Sequence, residues 1–84
     1  MKECIITFRS VTPAQRAEAV LKRALMDCVL QRTPRWLEEQ GCGYCLKLAS
    51  SRTPEAVSLL RSSQIPFRKV YLFRTGGKLE EMQL

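Results

Sequence analysis

Between Glu3 and Arg9 apolar and polar positions alternate, with Cys4, Ile6 and Phe8 on one face and Glu3, Ile5, Thr7 and Arg9 on the other. That period predicts a strand. The period then lengthens. Thr12-Pro13-Ala14-Gln15 is a helix start, with Thr12 as cap, Pro13 at the first helical position and Gln15 completing a capping box. Ala17, Val20, Leu21, Ala24 and Leu25 then recur at helical spacing. Glu18 and Lys22 form an i,i+4 pair outside that stripe, and the helix is expected to end near Met26. Asp27 to Arg32 alternates again as a second strand. Thr33 to Gln40 is a connection, with a helical turn expected around Trp36-Leu37-Glu38-Glu39.

Tyr44 to Leu48 reads as the third strand, with Tyr44, Leu46 and Leu48 on one face and Cys45 and Lys47 on the other. Thr53-Pro54-Glu55 opens a second helix as Thr12-Pro13 opened the first, and Glu55 suits the positive helix end. Its apolar stripe is Ala56, Leu59 and Leu60, flanked by Val57. Ile65-Pro66 ends that element. Phe67 to Arg74 is the fourth strand, with Val70 and Leu72 opposite Lys69, Tyr71 and Phe73. Gly76-Gly77 is a turn, after which residues 78–82 either return as a short edge strand or fray.

The order β-α-β-β-α-β predicts an α+β fold. Its natural closure is a ferredoxin-like sandwich of four antiparallel strands with both helices on one face and the first and third strands as central neighbours. An ACT-like regulatory domain shares that order, so order alone sets no function. The other sheet face would carry Ile5, Cys45, Lys47, Tyr71 and Phe73. A helix-free, partly apolar face is usually covered. A homodimer or a protein partner is expected there, with the C-terminal tail as the alternative cover.

Eighty-four residues bound the chain to one domain, 1–84. No segment approaches the roughly 18 consecutive apolar residues of a membrane span. The apolar stretch after Lys2 is too short for a secretory signal. The expected compartment is the cytoplasm, where thiols stay reduced. The formal net charge of +6 invites an acidic partner, RNA or a protein face. The arginines are spread along the chain, which favours a merely basic, solvated surface. Sheet-type RNA readers stack bases on aromatics of their central strands. Here those strands offer Ile5, Thr7, Cys45 and Lys47, which disfavours nucleic acid.

Chemistry concentrates in Gly41-Cys42-Gly43-Tyr44-Cys45, in a chain with no histidine. Without the usual general base, reactivity would belong to sulfur itself. Cys4 and Cys28 sit at apolar strand positions and read as small core residues. Cys42 lies between two glycines where a loop enters a strand, a place that keeps a thiol reachable. Arg32, Arg35 and Lys47 are candidates for favouring its thiolate. The bland alternative is that Gly41 and Gly43 serve a turn and Cys42 is incidental. Cys45 completes a Cys-x-x-Cys, but a strand follows it instead of the helix of a thioredoxin-type pair. One such pair supplies only two metal ligands and no histidine can add more, so no metal is expected.

Pro34-Arg35 followed by Gly41-Cys42-Gly43 and an alternating strand resembles the selenium/sulfur (Se/S) carrier protein-like domain family. The opening strand ending at Phe8-Arg9-Ser10, the helix with Ala17-Glu18 and Leu21-Lys22, and the closing Val70-Tyr71 strand extend the likeness over nearly the whole chain. The resemblance implies a carrier rather than a classical enzyme. Cys42 would hold a persulfide or selenopersulfide and pass it between donor and acceptor proteins, with no cofactor. It implies that Gly41, Gly43, Pro34 and Arg35 shape the site. Cys45 lies outside the family motif and is either a resolving thiol or a silent small residue. The competing functions are an interaction or regulatory domain that dimerises through the sheet face, and a weak RNA-binding module.

Overall fold

A computed structural model describes residues 3–34, 37, 43–74 and 78–82. The elements are β1 (Glu3–Phe8), α1 (Val11–Arg23), β2 (Cys28–Arg32), β3 (Tyr44–Ala49), a 3-10 turn (Ser50–Arg52), α2 (Thr53–Ser62), β4 (Val70–Arg74) and β5 (Lys78–Glu81). They form a small α+β domain with two helices and an antiparallel sheet of spatial order β2-β3-β1-β4-β5. β1 and β3 are neighbours, as their patterns predict, and pair Cys4 with Leu48, Ile6 with Leu46 and Phe8 with Tyr44.

The sheet has five strands, not four. β5 pairs with β4 from Tyr71↔Glu81 to Arg74↔Lys78, and the Met82 amide donates to the Val70 carbonyl at 2.7 Å. The added strand satisfies backbone groups that β4 would otherwise leave at an edge.

Period-two alternation places Cys4, Ile6, Phe8, Leu46, Leu48 and Val70 on the face covered by both helices. There they meet Ala14, Ala17 and Leu21 of α1 and Ala56, Val57 and Leu60 of α2. Both stripes are close to those the sequence predicts, with one exception. Leu25 is 87% exposed because α1 ends at Arg23, short of Met26.

The two helix ends share one device. Met26 N–H donates to Leu21 O and Leu25 N–H to Lys22 O, both at 3.0 Å, and Leu25 has φ 61°. Ile65 N–H donates to Leu60 O at 2.9 Å and Gln64 N–H to Arg61 O at 3.1 Å, with Gln64 at φ 57°. Each is a Schellman motif, and each pins a buried hydrophobe, Met26 or Ile65, back onto the last helical turn. Glycine usually fills the left-handed position. Leucine and glutamine fill it here, so the glycine signal is missing at both ends, and only Pro66 marks the end of the second helix.

The helix starts also differ from expectation. Ser10 occupies the cap position of α1, Thr12 lies inside the helix, and no side-chain cap bond forms. Arg52 occupies that position before α2, and the expected cap Thr53 is helical and buried. Its hydroxyl is buried beside the Cys4 thiol.

β4 begins at Val70, three residues later than its pattern suggests. Buried Thr7 explains the offset. Its amide donates to Lys69 O at 2.9 Å and its carbonyl accepts from Arg68 N–H at 2.8 Å. Its hydroxyl accepts from Lys69 N–H at 3.1 Å. A side chain thus substitutes for a ladder partner and keeps a buried polar group satisfied.

Candidate functional site

β2 and β3 form a hairpin whose last register pair is Arg32↔Tyr44. One step further, Thr33 N–H donates to Gly43 O at 3.0 Å, so the two ends of the 33–43 connection are fastened together. Gly43 is buried at that closure. Pro34 is half-buried, and its carbonyl accepts from Leu37 N–H at 3.0 Å. Of the helical turn expected around Trp36-Leu37-Glu38-Glu39, only Leu37 lies among the described residues. The Thr33 hydroxyl is buried with no hydrogen-bond partner among the described residues. Cys42, Gly41 and Arg35 lie outside the described residues.

Cys45 stands on the face opposite the helices, as alternation requires, but that face is not open there. Cys45 is 0% exposed and Ile5 2%, and both cluster with Tyr71. Leu37 and Phe73 pack against the three. The expected cover was a second copy, a partner protein or the C-terminal tail. Leu37, from the connection itself, packs against that cluster. The apolar pair Trp36-Leu37 within an otherwise polar loop was the available signal.

The candidate cations separate. The Arg32 guanidinium lies 5.8 Å from the centroid of the Tyr44 ring, a cation–π contact. Tyr44 packs toward the helix-side core. Lys47 lies three residues beyond Tyr44 on β3, roughly 13 Å along the strand from Gly43 at about 3.3 Å per residue. Its ammonium pairs with the Glu3 carboxylate at 3.2 Å. The fold thus brings together Thr33, Pro34, Leu37 and Gly43 and places Cys45 beneath, while Lys47 serves the middle of the sheet.

The remaining thiols are core residues. Burial pushes the Cys4 thiol up, and the neighbouring Thr53 side chain opposes that shift only partly. Burial also raises Cys28, with the Glu18 carboxylate adding to it. Both favour the inert, protonated form. Among the described residues no three of Cys, Asp and Glu gather as metal ligands, and no helix is long and apolar enough to cross a membrane.

The three described cysteines of this small α+β domain are all buried strand residues. Residues 3–72 match the family described as "Putative Se/S carrier protein-like", and the chain belongs to that family. The match spans Cys42 and the whole β2–β3 connection. No curated protein and no solved structure matches the chain.

Proposed function

We propose that this protein is a sulfur or selenium carrier that holds a persulfide or selenopersulfide on Cys42 and hands it to a partner protein. The observation that carries this reading is the family match over residues 3–72, which includes Gly41-Cys42-Gly43. The closure between Thr33 and Gly43 supports it, because a carrier thiol needs a rigid frame next to a reachable loop. In keeping with that reading, the first four strands form a ferredoxin-like sheet extended by β5, residues 1–84 act as one domain, and the cytoplasm keeps the thiol reduced.

Loading is a thiol exchange. The Cys42 thiolate attacks the terminal sulfur of a donor persulfide. A new Cys42 Sγ–S bond forms, the donor S–S bond breaks, and the donor cysteine leaves as thiolate with the electron pair. Delivery is the same exchange with an acceptor thiolate attacking and the Cys42 thiolate leaving. Neither step needs an oxidant or reductant, and a selenium atom follows the same route. Arg32 over Tyr44 and Lys47 with Glu3 already have partners, so Arg35 is assigned as the cation of the loop.

The test is mass spectrometry after incubation with a cysteine desulfurase and free cysteine. A gain of one sulfur atom on the Cys42 peptide, absent in Cys42→Ser, is the expected result. An adduct on the other cysteines with none on Cys42 would end the proposal.

A further inference from the structure

The carrier reading leaves unassigned a concentration of charge that the fold, not the sequence, assembles. Arg9 follows β1 directly, and Arg68 and Lys69 precede β4. The register pair Phe8↔Tyr44 and the bonds of Thr7 to Arg68 and Lys69 put all three at one end of the sheet. Gly43, one residue before Tyr44, enters the sheet at that same end. Adjacent strands lie about 4.8 Å apart, so Arg9 leaves the sheet alongside the connection that carries the family cysteine.

Two clefts flank this end and share half-buried Phe67 and exposed Arg68 as common walls. One, of about 360 Å³, lies between Arg9 and Ser10 on one side and Pro66 and Phe67 on the other. The second, of about 310 Å³, adds Arg61 and Lys69. Four cations and one aromatic side chain thus line the two clefts, with Glu81 as a lining carboxylate. Glu81 pairs with Lys69 at 3.5 Å with both side chains over two-fifths exposed, a geometry that holds charge weakly.

We propose that this end, built on Arg9, Arg61, Phe67, Arg68 and Lys69, docks an acidic polypeptide segment of the proteins with which the carrier exchanges its cargo. This rests on the carrier reading for the partner's identity, but the docking chemistry stands on charge and shape alone. A positive face beside the transfer loop steers an acidic partner into register and raises the encounter rate. A protein segment fits better than single-stranded nucleic acid, which needs successive stacking platforms. Phe67 is the one aromatic side chain lining these clefts among the described residues.

The experiment measures binding of a fluorescent oligoglutamate peptide to the full chain at low salt by anisotropy. It compares Arg9→Glu/Arg68→Glu with Lys22→Glu/Arg23→Glu. Both pairs change the formal charge equally. Lys22 and Arg23 are exposed at the far end of α1, roughly 18 Å from Ser10 for a 13-residue helix. The first pair should weaken binding on the order of tenfold and the second no more than about twofold. Arg9→Gln/Arg68→Gln, which removes charge without reversing it, should fall between.

Equal losses in the two reversal pairs, or no loss in the first, overturn the proposal. Tighter binding of an oligouridine RNA, lost in the same first pair, overturns it in favour of nucleic acid. Loading the same variants with inorganic polysulfide, which needs no docking, separates the two readings. An adduct on Cys42 with no charge-site selectivity refutes only the docking surface. Selective docking with no adduct on Cys42 refutes only the carrier.

Discussion

Leu37 decides whether Cys45 can meet a reagent. Fully burying a leucine side chain is worth about 1.5–3 kcal/mol, and Leu37 is half-buried against the cluster of Ile5, Cys45 and Tyr71. Leu37→Ala should therefore remove about 1.4 kcal/mol of cover, which is roughly tenfold in the population that exposes Cys45. A buried thiol reacts in proportion to that population when opening is fast. The assay is alkylation followed by peptide mapping, with Cys4 as the internal reference. Cys4 is equally buried but lies between the sheet and the helices, away from Leu37. Global destabilisation raises both rates together and leaves their ratio alone. The Cys45-to-Cys4 ratio should rise roughly tenfold in Leu37→Ala and stay near wild type in Leu37→Met. An unchanged ratio in Leu37→Ala would refute the claim that Leu37 covers Cys45. If Cys45 also resolves the adduct on Cys42, the same variant should release sulfide faster after loading, and Cys45→Ala should abolish that release.

Leu25→Gly and Gln64→Gly should each stabilise the fold by about 0.5–1 kcal/mol, since the strain of a left-handed non-glycine residue exceeds the entropy glycine adds to the unfolded chain. The check is a rise in Tm of about 2–8 °C for each, with Leu25→Ala showing no such gain. Stability should hold up to about pH 9 and fall above it, because the unfolded chain then releases thiol protons that folded Cys4 and Cys28 retain. Urea titrations across that range should show a shallower alkaline loss in Cys4→Ala/Cys28→Ala, and an equal slope would contradict the assignment. Lys47→Ala should cost no more than about 1 kcal/mol, since its pair with Glu3 is exposed, and should change the alkylation rate of Cys42 by less than about twofold. A tenfold slowing would return Lys47 to the thiolate.

Much of the fold is legible because strand period two and helix period 3.6 are local properties. Cys4, Ile6 and Phe8 announce the covered face of β1, and Tyr44, Leu46 and Leu48 that of β3. The helix ends are legible only to within a few residues, because Leu25 and Gln64 take the left-handed position without the glycine that would fix them. β5 is legible only as a choice between pairing and fraying. Four residues gain their pairing from the neighbouring edge of β4, a contact remote from their own propensity.

Of the candidate site, residue types and their order along the chain come from sequence: two glycines around Cys42, a second thiol at Cys45, and a Pro-Arg connection before them. Sequence alone also determined that Cys45 points away from the helices, because alternation needs no partner. Only the tertiary structure decided that this face is closed over Cys45, since Leu37 reaches it across a connection whose ends meet through Thr33 and Gly43. The same holds for the charges. Arg9, Arg68 and Lys69 look scattered along the chain, and antiparallel pairing of β1 with β4 and β3 gathers them at one end of the sheet, because register converts separation in sequence into adjacency in space.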